Sequence, residues 1–223
     1  MKRYIWKRAF NAVARRGNKI NLWLRYTSDQ DYPSAETVKL TDGEKELAKR
    51  IFGKQLHTSV IRKSFTPDIK RKGDITTYAQ AFGMRHIKFY GSIPSQNFAA
   101  TKNKDHLGTF VHELVHVWQA QHYPRFILQR RTLRPRDKGY VYDLKPGARF
   151  YDFGLEQQAS LVQDYIRSAF NARNGQTRFT PSHAHGTTQP IDILIDVVER
   201  QFPKARSLRQ EIIAKNLKTP PIF

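Results

Sequence analysis

The stretch Asp105–Gln121 constrains this chain more than any other. Read at about 100° per residue, it turns apolar side chains in nearly every direction: Phe110, Val111, Leu114, Val115, Val117 and Trp118. A helix apolar nearly all round is a buried one. Yet one sector of about 120° holds Thr109, His112, Glu113, His116, Gln119 and Ala120. Imidazoles and a carboxylate inside a core are costly unless something compensates them. The rest of the chain must therefore build a core around this helix and supply a partner for its polar sector. Asp105 is the expected N-cap.

The material for that core is present. Of 223 residues, 39% are hydrophobic and 12% aromatic, which argues for one folded domain and against wholesale disorder. Apolar periodicity predicts further helices over Gly43–Lys54, Gly154–Asn171 and Pro190–Phe202. A last one follows Pro203 and runs to about Asn216. Leu56–Ile61 and His86–Tyr90 read as strands. The predicted class is α+β, predominantly helical, with a small sheet preceding the Asp105 helix. Residues 1–25 hold eight basic side chains and no acidic one, and Ile5, Trp6, Ala9, Phe10 and Val13 share one side of a helical wheel. They are expected to form a basic amphipathic N-terminal arm, with 26–223 as the single domain. No apolar h-region follows the basic start, so a secretory signal peptide is not expected. No apolar run is long enough to predict a transmembrane segment.

Cysteine is absent, which excludes a disulfide framework, a thiolate metal site and a Cys nucleophile. Any metal must be held by His, Asp or Glu. His112-Glu113-Leu114-Val115-His116 has the form H-E-x-x-H. On a helix, the two histidines project from one face, one turn apart, and can reach one zinc ion. Glu113 stands about 100° round from His112, placed to take a proton from water rather than to join the ligands. With eight His and seven Glu in the chain, chance supplies roughly 0.01 such matches. A catalytic zinc needs a third protein ligand. His122 has the spacing of an H-E-x-x-H-x-x-G-x-x-H site, but Gln119 stands where that site needs a glycine to end the helix. Glu156 is the better candidate. It lies at the edge of the apolar stripe of the Gly154–Asn171 helix, beside Ser160 and Gln163. Tyr151, Tyr165, His183 and His185 are candidate donors to a transition-state oxyanion. Asp152 and Asp164 are candidates to orient a ligand histidine.

His112-Glu113-Leu114-Val115-His116-Val117-Trp118-Gln119, followed by Leu155-Glu156-Gln157-Gln158-Ala159-Ser160-Leu161-Val162-Gln163-Asp164-Tyr165, resembles the gluzincin-type metallopeptidases. Within them it is most similar to the zincin toxin domains of type VI secretion effectors, which occur at the C-termini of spike proteins and free-standing. The resemblance covers roughly Arg85 to Phe170. It implies that 26–223 is a zincin-like metallopeptidase domain, with His112, His116 and Glu156 as ligands of one Zn2+ per chain and Glu113 as catalytic base. It implies a peptide or protein substrate, a secretion spike carrier and a cognate immunity protein. It also implies injection into the periplasm of a rival bacterium, in keeping with the expected lack of a signal peptide.

Two rival readings follow from charge. Lys and Arg number 39 against 19 Asp and Glu, a net charge of +20 that favours polyanion contact. One rival is a DNA-associated protease similar to the SprT-like proteins, which share H-E-x-x-H but take a histidine further along as third ligand. No histidine lies between His122 and His183. The other is a non-enzymatic basic nucleic-acid-binding or adaptor domain. The basic connector Arg125–Tyr140 carries few aromatic residues, so it reads as a charge run more than a base-stacking surface.

Overall fold

Among the described residues the first helix, α1 (Asp42–Phe52), starts at a capping box. Thr41 Oγ1 accepts from the Glu44 N–H at 3.2 Å, and the Glu44 carboxylate accepts from the Thr41 N–H at 2.8 Å. In the computed structural model, the described residues are 37–66, 77–82, 85–91, 97–101, 103–122, 139–173, 175–184 and 186–218. The expected N-terminal arm, the connector through residue 138, and His185 lie outside them.

Four short strands form one sheet: β1 (Thr37–Lys39), β2 (Arg62–Thr66), β3 (Thr77–Phe82) and β4 (His86–Gly91), in the order β1-β2-β4-β3. β2 and β4 run parallel, in register Ser64 to Lys88, and the outer pairs are antiparallel. The sheet precedes the long helix in sequence, as predicted. The strand expected at Leu56–Ile61 is displaced, however. Thr58–Val60 is a 3-10 turn and the strand begins at Arg62. Leu56 and Ile61 are buried at either end of that turn rather than along a pleat. The true strand was hidden by Lys63, a fully buried lysine whose Nζ donates to Glu44 at 2.5 Å. Glu44 also accepts from the Phe98 N–H at 2.9 Å, so one carboxylate joins α1, β2 and the 3-10 turn Phe98–Ala100.

The long helix α2 (Lys104–His122) is capped by Asn103, not by Asp105. Asn103 Oδ1 accepts from the N–H groups of Asp105 and His106 at 2.9 and 3.2 Å. Asp105 instead lies in the first turn, where its charge suits the helix dipole, and pairs with Arg167 at 2.9 Å. Phe110, Val111, Leu114, Val115, Val117 and Trp118 are all fully buried, as an all-round apolar helix requires. On one side, Phe98 stacks between Phe89 and Phe110 at centroid distances of 4.7 and 4.8 Å. Further along, Trp118 meets Phe150 and Phe202 edge-on at 6.0 and 5.1 Å.

Helix α3 (Leu155–Phe170) runs alongside α2. Gly108 makes room for it: a Cβ there would stand 3.2 Å from Gln163 and Arg167 side-chain carbons. A two-stranded ladder, β5 (Arg178–Phe179) with β6 (Gln189–Pro190), leads into α4 (Ile191–Gln201) and α5 (Ala205–Lys218). These pack on α3 from the side of Tyr165, whose hydroxyl donates to Glu199 at 2.8 Å. The fold is α+β and predominantly helical, as predicted.

Candidate metal centre

Helical spacing puts His112 and His116 on one face of α2, and the packing of α3 brings Glu156 to meet them. Glu156 Oε2 lies 3.2 Å from His112 Nε2 and 2.9 Å from His116 Nε2. The two Nε2 atoms are 3.1 Å apart. Donors sharing a tetrahedral zinc at about 2.0–2.1 Å stand about 3.3 Å from one another, so this triangle has the right size for one such ion. Among the described residues, this is the one group of His, Asp and Glu that converges in this way.

The other ring nitrogens decide which atoms face inward. Gln119 Nε2 donates to the Leu155 carbonyl and to Gln158 Oε1, both at 3.0 Å. That fixes its amide and leaves Oε1 to accept the Nδ1–H of His116 at 2.8 Å. His112 Nδ1–H donates in the same way to Gln163 Oε1 at 3.0 Å. With Nδ1 protonated on both rings, the Nε2 lone pairs turn toward Glu156. With both rings neutral these would be three acceptors aimed at one point, which repel one another unless a proton or another cation lies between them.

The electrostatics follow. Burial drives His112 down to about 4, against the pull of its contact with Glu156. Burial acts the same way on His116, but the Glu156 hydrogen bond and the charges of Glu156 and Glu113 outweigh it and lift that ring to about 9. Burial would raise Glu156, yet its bonds to the two histidines hold it well below the usual carboxylate range. A proton on His116 thus balances the charge of Glu156. Glu113 is buried, and its carboxylate is near enough to act on His116.

The remaining candidates fall in different places. His183 belongs to the site's surroundings. Its ring lies 6.5 Å from that of His112 and 4.5 Å from that of Tyr140, which is itself 5.8 Å from His112. Tyr165 does not serve as a donor there, because it is fully buried and committed to Glu199 on α4. Tyr151 is exposed on the 3-10 turn Phe150–Asp152. Asp152 accepts from the Arg149 N–H at 2.8 Å and closes that turn. Asp164 is buried but bonds to Tyr142 and Ser182, and burial raises its carboxyl despite those bonds. The imidazoles of His112 and His116 are oriented by Gln163 and Gln119 instead of by Asp152 or Asp164. His122 turns to its own helix, donating from Nδ1 to the Trp118 carbonyl at 3.0 Å.

Gln119, Gln163 and Tyr140 are the residues that sequence reasoning left without a role. The two glutamines did carry a signal, each one turn or two from a proposed ligand on the same face. Tyr140 carried none, lying at the end of a charge run.

No protein-family model matches the chain. Over 155 residues, 66% of its length, it is 31% identical to the type VI secretion system spike protein VgrG2b of Pseudomonas aeruginosa. That match spans 15% of the spike protein's length. The solved effector domain of Pseudomonas aeruginosa VgrG2b superposes with a TM-score of 0.51 at 29% identity, covering 69% of this chain and 86% of that domain. This homology supports a type VI secretion effector domain.

Proposed function

We propose that this effector domain is a zinc-dependent metallopeptidase that hydrolyses peptide bonds. One observation carries the reading: the Nε2 atoms of His112 and His116 and Oε2 of Glu156 meet within 2.9–3.2 Å, each ring held from behind by a glutamine. Such a donor set suits zinc, which supplies Lewis acidity that acidifies water and polarises a scissile carbonyl. The chain's own groups do the rest. Glu113 accepts the proton of the attacking water as its oxygen bonds to the carbonyl carbon. The same carboxyl then delivers that proton to the amine nitrogen as the C–N bond breaks. The Tyr140 and His183 rings, 5.8 and 6.5 Å from that of His112, carry the hydroxyl and the ring N–H that serve the developing oxyanion. We also propose delivery on a secretion spike, action in the periplasm of the recipient, and a cognate immunity protein in the producer.

The test is metal content and turnover in matched variants, with fluorescein-labelled casein as substrate. His116→Ala and Glu156→Ala should lose zinc. Glu113→Gln should keep it and lose turnover by about a hundredfold to ten-thousandfold. Undiminished cleavage by Glu113→Gln would overturn the mechanism.

A further inference from the structure

Asp164 sits on α3 one residue beyond Gln163 but serves a different pair of neighbours. Its carboxylate accepts from the Tyr142 hydroxyl at 2.7 Å. It also accepts from the Ser182 N–H at 3.0 Å and from the Ser182 hydroxyl. It is 2% exposed, so these bonds are made away from competing water. Tyr142 is two residues from Tyr140, and Ser182 is next to His183. One buried carboxylate therefore ties together the two chain segments whose aromatic rings meet 4.5 Å apart beside His112.

Neither residues 139–144 nor residues 181–184 lie within a ladder themselves, although β5 ends at Phe179, two residues before Pro181. Residues 139–144 are turn and coil; Val141 accepts from Gln157 at 2.6 Å and the Leu144 N–H donates to Gln189 at 3.1 Å. Residues 181–184 are likewise coil and turn. Tyr140 is 45% exposed, so burial alone does not fix its ring.

We infer that Asp164 is a positioning residue that clamps the Tyr140 and His183 segments together, so that their rings form one wall of the reaction site. That this wall faces a substrate rests on the peptidase reading; the clamp itself does not. Losing the carboxylate should free both segments together while leaving the triangle of His112, His116 and Glu156 in place.

The test uses Asp164→Asn in the full chain. The amide can still accept from Ser182 but offers N–H toward the Tyr142 hydroxyl. Hydrogen–deuterium exchange over residues 139–144 and 181–184 should speed by about tenfold or more, as expected for losing a bond to a charged acceptor. Exchange in α2 should not change. In NMR spectra, the His183 Cε1–H resonance, shifted by the Tyr140 ring, should move toward its free-histidine position in Asp164→Asn as it does in Tyr140→Leu. A merely structural contribution would lower stability and leave that resonance where it was. If Asp164→Asn does not fold, Tyr142→Phe and Ser182→Ala remove the same bonds one at a time, and each should loosen both segments. A folded variant with unchanged exchange and an unmoved His183 signal would overturn the clamp. Neither readout needs metal or turnover, so a failure of the peptidase reading would show separately, as a chain without zinc or casein cleavage.

Discussion

At the level of single residues, the histidine protonation pattern sets how the cluster responds to pH. His116, raised to about 9, carries a proton at neutral pH that a metal must displace, while His112, lowered to about 4, does not. Apparent zinc affinity should therefore climb about tenfold per pH unit from about pH 6.5 and level off only near 9. For the metal-free protein the sign is opposite. A raised histidine contributes stability that is complete below its unfolded value near 6.5 and is lost as pH rises through about 9. Chelator-competition titrations across this window check the first trend, and an affinity already flat above pH 6.5 would contradict it. The convergence of His112 and His116 was legible because four-residue spacing puts two side chains on one helical face whatever the fold. The orientation of the glutamines behind them was not. An amide's direction depends on a second helix, and Gln119 is oriented by Leu155 and Gln158, 36 and 39 residues away.

At the level of elements, the site rests on packing that joins α2, α3 and the sheet. The sheet's hold on α1 runs through Glu44 and Lys63, both fully buried. Removing one member of such a pair leaves an uncompensated charge in the core and typically costs about 3–5 kcal/mol. Glu44→Ala should therefore unfold at a distinctly lower urea concentration, and an unchanged midpoint would show that the pair does not anchor the sheet. The same lysine explains why β2 was illegible: Arg62-Lys63-Ser64 reads as polar surface until Glu44 and the rings of Phe98 and Phe65 surround the ammonium. Helices α1, α3 and α4 were legible to within about two residues, because apolar periodicity survives when a single face is buried. The cap of α2 was misread for a local reason. Asn103 and Asp105 are both good caps, and only backbone geometry tells them apart.

On the scale of the whole molecule, the sequence carries +20 formal charges, and no described helix is long and apolar enough to cross a membrane. Net charge says where a protein sticks rather than what it does. The effector homology gives a sharper expectation. Expression in a bacterium with an added periplasmic export signal should arrest growth, expression without it should be tolerated, and Glu113→Gln should abolish the difference. Equal growth in both compartments would contradict a periplasmic target. The class of fold was readable from helix count and the all-round apolar α2. The type VI route was reached only through the resemblance carried by the His112–Gln119 and Leu155–Tyr165 segments, since no local property of a residue encodes which machine carries the chain.

The most direct measurement is anomalous diffraction from crystals soaked in zinc, recorded on both sides of the zinc absorption edge. A single strong peak bounded by His112 Nε2, His116 Nε2 and Glu156 Oε2, with Glu113 beside it, is expected. No peak between those three atoms, with the side chains left in their hydrogen-bonded triangle, would contradict the metal centre and the hydrolysis built on it.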